Sequence, residues 1–224
     1  GVDAIGMNCS LGPAEFKPLI EELSKWTTLP IVSKANAGLP NPATGEYDVE
    51  AEQFAKLTAD LIPHGVKAVG GCCGTTPAFI KAIHEAFEGK KYCRQNPNIP
   101  AAVCTPEKTI IIDQPRIIGE RINPTGKKKL KEALKNGDMD YVLTQAADQI
   151  RDGAEILDVN AGVPGIDEKS VIVNIVKALQ GITDAPLQID SGDPEVIEAA
   201  LRVYSGKAIV NSVNGEEKSL ASIL

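Results

Sequence analysis

The feature that most constrains the fold is a rhythm. Short apolar runs alternate with amphipathic stretches along most of the chain, and the alternation fails once, between Gly89 and Gln114. Before the break, strand-like runs at residues 4–8, 30–33 and 66–70 each precede a helical pattern. The first helix opens at Gly12-Pro13 and runs to about residue 26, with Phe16, Leu19, Ile20 and Leu23 on one face. The second starts at Asp48, read as its N-cap, and reaches about residue 63. The third starts at Thr76-Pro77 and reaches about residue 87. A Gly/Pro/Asn-rich loop over residues 36–45 separates the second strand from the second helix. After the break, strands are expected at 116–120, 156–160, 186–190 and 207–211, with helices near 141–152, 168–180, 194–204 and 216–224.

Strands that alternate with helices build parallel sheet through right-handed crossovers. A closed (βα)8 barrel needs eight such units and typically ~250 residues. Three units precede the break and four follow it, so neither set is a whole barrel. The expected architecture is α/β: two partial (βα)8 TIM-type barrels, residues 1–90 and 115–224, joined by a linker over 91–114. The alternative is one barrel with an inserted loop. Connections in βα units usually span ~2–6 residues, which argues against so long an insertion. Pairing between the strand at 66–70 and the one at 116–120 would decide for the single barrel.

Composition excludes several classes of function. The formal net charge is −7, and the longest run of lysines is Lys127–Lys129. Aromatic residues make up 4% of the chain, too few for base-stacking platforms. Nucleic acid is therefore not an expected partner. No apolar run approaches the ~20 residues a membrane helix needs, so no membrane partner is expected either. The chain begins inside an apolar segment, and its native start is expected to lie upstream.

There are five cysteines, at positions 9, 72, 73, 93 and 104. Cys72 and Cys73 are adjacent, a poor geometry for bridging each other. A reducing, cytoplasmic setting with metal-binding thiols fits this better than a disulfide framework. Cys9 follows the first strand, in Gly6-Met7-Asn8-Cys9. The pair follows the third, in Gly70-Gly71-Cys72-Cys73-Gly74. Ends of parallel strands share one face in a barrel, so three sulfurs are expected around one point. Three thiolates leave one tetrahedral position of a zinc ion open, the pattern of a catalytic site. Cys93 and Cys104 are read as structural, and His64 and His84 as solvated or packed.

In the second half, strand ends carry acids and amides: Asn123 in Gly119-Glu120-Arg121-Ile122-Asn123-Pro124, Asp158 and Asn160 in Asp158-Val159-Asn160, Asp190 before Ser191, and Asn211 before Ser212. A carboxylate suits a ring that presents an amide N–H and an exocyclic amine, as pterins do, and Asn can donate or accept beside it. Capping of the following helices is the competing explanation.

Two resemblances follow. Gly6-Met7-Asn8-Cys9, Asn36-Ala37-Gly38-Leu39-Pro40 and Gly70-Gly71-Cys72-Cys73-Gly74-Thr75-Thr76-Pro77 resemble the end of the homocysteine S-methyltransferase domain. That resemblance implies zinc on Cys9, Cys72 and Cys73, with the thiolate of homocysteine in the open position. Residues from about 116 onward resemble the pterin-binding methyltransferases. This second resemblance implies that Asp158, Asp190 and Asn211 hold the pterin of methyltetrahydrofolate. Asn160 and the Gly126-Lys127 turn would lie nearby, with Asn123 as a further contact. A homocysteine domain followed by a pterin domain is similar to the cobalamin-dependent methionine synthase family. The order implies a methyl group passing from methyltetrahydrofolate through methylcobalamin to homocysteine, with cobalamin on a further domain of a longer chain. The alternatives are another corrinoid or pterin methyltransferase fused to a thiol-methylating domain, or a zinc- and pterin-binding fragment without turnover.

Overall fold

The computed structural model describes residues 2–93 and 95–223. The chain divides into two compact units, Gly1–Ile99 and Pro100–Leu224.

In the first unit, β1 (Ile5–Asn8), β2 (Ile31–Ala35) and β3 (Val66–Gly71) form a three-stranded parallel sheet in the order β1-β2-β3. α1 (Pro13–Leu23), α2 (Ala51–Ala59) and α3 (Pro77–Phe87) follow the three strands in turn. Prolines open α1 and α3, where a missing N–H costs nothing and φ is already helical. Phe16 and Ile20 of α1 and Phe54 of α2 bury against Ile31, Ala35 and Val66 of the sheet. Asp48 is not the cap of α2; that position is Glu50, whose side chain makes no capping bond.

In the second unit, β6 (Ile118–Ile122), β7 (Ile156–Val159), β8 (Leu187–Asp190) and β9 (Ile209–Asn211) form a four-stranded parallel sheet in sequence order. α5 (Met139–Arg151), α6 (Glu168–Gln180) and α7 (Pro194–Val203) connect them, and α8 (Glu217–Ile223) follows β9. Leu157, Val159, Leu187 and Ile189 pack with Ile172, Ile175, Val176 and Ile197 in one core. A further helix, α4 (Lys128–Asn136), begins in the lysine run and buries Leu130, Ala133 and Leu134. Among the described residues no strand of the first sheet pairs with the second sheet, so they do not form the single closed sheet weighed as the alternative.

The expectation of linker throughout 91–114 needs correction. β4 (Ala102–Cys104) and β5 (Thr109–Ile111) form an antiparallel hairpin within the second unit. Val103 and Ile110 bury against Ile156 of β7. Tyr204 Oη donates to the Cys104 carbonyl at 2.9 Å and accepts from the Leu187 amide at 3.3 Å. Cys104 and Lys207 exchange backbone hydrogen bonds of 3.0 and 2.9 Å. Arg116 fastens the exit, donating to the Ile111 carbonyl at 2.7 Å and to Glu155 at 3.0 Å. Strands of three residues are too short to show alternation, so the hairpin left no periodic trace.

Candidate functional site

The first site is assembled by the end of β2, the middle strand of its sheet. The Lys34 carbonyl accepts from the Cys9 amide, and the Ala35 carbonyl from the Cys72 amide, each at 2.9 Å. Beyond the strand, Asn36 Oδ1 accepts from the Cys73 amide at 3.1 Å, and the Ala37 amide donates to the Cys73 carbonyl at 2.9 Å. One short segment thus holds the backbones of all three cysteines. Cys9 and Ser10 take φ values of 64° and 67°. This left-handed region is uncommon for residues other than glycine, and such strain gathers at functional sites.

The three sulfurs lie within 4.8 Å of one another, with Cys9 Sγ 3.6 Å from Cys73 Sγ. Tetrahedral zinc with ~2.3 Å bonds would hold its sulfurs about 3.8 Å apart, so the donor set fits such an ion. Proximity separates Cys9 and Cys72 in acidity. The Ser10 amide, and then the neighbouring thiols, pull the Cys9 pKa below its ordinary value. Hydrogen bonding to Cys9, reinforced by desolvation, pushes Cys72 up. A divalent cation among them relieves that opposition, because it stabilises every thiolate at once. Tyr47 lies beside Cys73, its phenol pushed up by burial and by that contact. Gly74 makes room for it: φ is +78°, and a Cβ there would sit 2.4 Å from the Tyr47 ring.

The second site lies at the C-terminal ends of β6 to β9. Asp190 is its hub. Asn123 Nδ2 and Asn160 Nδ2 donate to Asp190 Oδ2 at 3.1 and 3.0 Å, and Asn211 Nδ2 donates to Oδ1 at 3.0 Å. Asp158 is 2% exposed and accepts from Gln188 Nε2 at 2.6 Å and more distantly from Asn123 at 3.5 Å. Lys127 Nζ donates to the carbonyls of Glu120 and Asn123, at 2.9 and 3.0 Å. That closes the turn at Gly126, whose φ of +73° favours glycine. Helix capping does not account for these groups. The caps are Asp138, Asp167 and Asp193, whose carboxylates accept from the backbone of α5, α6 and α7. Asn123 and Asn160 also brace their own turns, accepting from the amides of Thr125 and Gly162.

Residues 1–87 match the family model described as homocysteine S-methyltransferase, and residues 119–223 match the one described as pterin binding enzyme. The first match lies in the first unit and the second match in the second unit. Solved structures similar to the chain include 7,8-dihydropteroate synthase from Vibrio fischeri ES114, at 21% identity, 54% of this chain, 44% of that one and TM-score 0.39. They also include dihydropteroate synthase from Xanthomonas albilineans in complex with 7,8-dihydropteroate, at 24% identity, 55% of this chain, 44% of that one and TM-score 0.38. The enzyme from Burkholderia cenocepacia complexed with 7,8-dihydropteroate matches at 23% identity, 55% of this chain, 42% of that one and TM-score 0.37. The chain thus spans less than half the length of these structures.

The second unit brings together Asn123, Asp158, Asn160, Asp190 and Asn211, and adds Gln188, which the sequence did not single out. Its place two residues before Asp190 on β8 was the available signal, since alternate strand residues share a face. In the first unit Tyr47 is the corresponding omission, and Asn36 had stood out only as the start of the Asn36–Pro40 motif. Cys93 and Cys104 are not part of the sulfur cluster.

Asp158 yields a pH prediction. Burial, with Asp190 nearby, raises its pKa above the ordinary 3.8. A carboxyl with a raised folded-state pKa gives stability that is fully present below the unfolded pKa and lost as pH rises through the folded one. Across that interval the second unit should lose stability. A carboxyl titration of Asp158 followed by NMR should show a midpoint above 3.8; one at or below it contradicts the burial argument.

Proposed function

We propose that this chain carries the homocysteine-activating and methyltetrahydrofolate-binding parts of a cobalamin-dependent methionine synthase. The observation that carries the reading is three converging cysteine sulfurs in a chain that also bears a pterin-binding segment. Residues 1–90 and 115–224 then represent parts of two (βα)8 barrels, each contributing the C-terminal ends of its strands.

Cys9, Cys72 and Cys73 would hold zinc. Zinc supplies Lewis acidity that makes a bound thiol available as thiolate near neutral pH. The protein's part is to fix three ligands and leave the fourth position to homocysteine. In the other segment Asp190 and Asp158 accept the N–H groups of the pterin. Asn123, Asn160 and Asn211 orient Asp190, and Gln188 orients Asp158. Lys127 keeps the Gly126 turn closed beside them. The pairing of a thiol-methylating family with a pterin-binding family supports cobalamin as the methyl carrier between them. Five free cysteines, three of them needed as thiolates, go with a reducing, cytoplasmic setting.

Metal analysis combined with calorimetric titration tests the reading. The purified chain should retain one zinc, bind homocysteine only while zinc is present, and bind methyltetrahydrofolate whether or not it is. A chain that retains no metal, or binds homocysteine equally well after chelation, would falsify it.

A further inference from the structure

The inner strand of the first sheet carries a charge that the metal reading does not use. Lys34 lies on β2, in register with Asn8 of β1 and Gly70 of β3. Those neighbours stand one and two residues before Cys9 and Cys72. At about 3.3 Å of rise per residue, Lys34 lies one row beneath Cys9 and two beneath Cys72. Its stem crosses toward β3: Lys34 Cγ and Cε lie 3.6 and 3.8 Å from where a Cβ on Gly70 would stand. The side chain is exposed and forms no ion pair among the described residues.

Charge arithmetic gives that cation a task. Three thiolates around a divalent ion leave a net charge of about −1, and a substrate thiolate makes it about −2. No arginine or other lysine occupies the β1, β2 or β3 strands near their C-terminal ends. We propose that Lys34 is a positioning residue that balances the second negative charge and so favours thiolate over neutral ligands in the open coordination place. The inference rests on the metal reading above and concerns a residue that contacts neither metal nor substrate sulfur.

The test uses the full chain loaded with cobalt(II), with ligand binding followed by the visible absorption of the metal. The ligands are homocysteine, 2-mercaptoethanol as a thiol without a carboxylate, and imidazole as a neutral donor. Lys34→Gln should weaken both thiols by on the order of tenfold, as one unit charge about 10 Å away at an effective dielectric of about 20 implies, and leave imidazole unchanged. Lys34→Arg should restore thiol binding. Wild-type thiol affinity in Lys34→Gln overturns the inference. So does a loss confined to homocysteine, which marks a carboxylate contact instead, or an equal loss for all three ligands, which marks a structural role. Failure of the wild-type chain to bind any divalent metal overturns the metal reading and this inference together, whereas metal binding with unchanged thiol affinity overturns this inference alone.

Discussion

Replacing Asp190 with alanine should lower the affinity of the chain for methyltetrahydrofolate by about tenfold to a hundredfold, because a hydrogen bond to a charged group contributes about 1.5–3 kcal/mol. The carboxylate accepts from Asn123, Asn160 and Asn211. Those bonds use three of its roughly four lone-pair sites, leaving it aimed and held with room for a ring N–H. Alanine removes the acceptor and leaves the Asn160 and Asn211 amides without that partner, while Asn123 keeps only its longer bond to Asp158. The second unit should therefore lose about 1–3 kcal/mol of stability as well. Asp190→Asn separates the two effects: it preserves the volume but sets an amide donor against amide donors. Calorimetry gives the affinity and thermal unfolding the stability. Unchanged affinity in a folded Asp190→Ala chain would remove Asp190 from pterin recognition.

The other large effect concerns the cysteines. Serine at Cys72 or Cys73 should weaken zinc binding by about a hundredfold to a thousandfold, if each of four ligands carries about a quarter of the ~10–16 kcal/mol typical of structural zinc sites. Serine at Cys93 or Cys104 should leave zinc affinity as it was, since neither belongs to the cluster. A competitive titration with a chromophoric chelator measures all four variants. Equal loss at Cys93 and Cys72 would show that the metal is bound elsewhere or through general unfolding.

The β/α rhythm was legible because each buried parallel strand is a short apolar run and each connecting helix shows a single apolar face. That logic located β1 to β3 and β6 to β9 to within a few residues. It failed where the local signal was weak. α4 starts in Lys127–Lys129, which reads as a solvated charge run, and its apolar face amounts to Leu130, Ala133 and Leu134. The hairpin of β4 and β5 is stabilised by Tyr204 and Lys207, distant in sequence, which no window over residues 100–114 contains. The candidate sites divided similarly. Residues at strand ends were readable because parallel strands bring those ends to one face. Gln188 and Asn36 were not, because their part depends on which atom they meet: Asp158 Oδ1 for one, the Cys73 amide for the other. That is a matter of register and rotamer, not of residue type.

The seat of that hairpin bears on how the chain is made. Cys104 rests on Tyr204, a hundred positions later. At the usual ~5–20 residues per second of synthesis, about 5–20 s pass before the ribosome supplies the partner. An isolated two-stranded hairpin is marginal in water. Val103 and Ile110 gain Ile156 about halfway through that interval and Ile209 only after it, so until then the entry segment of the second unit lacks its full seat. Its docking is a late step in biogenesis, and the interval before it is when a chaperone would find apolar surface to hold.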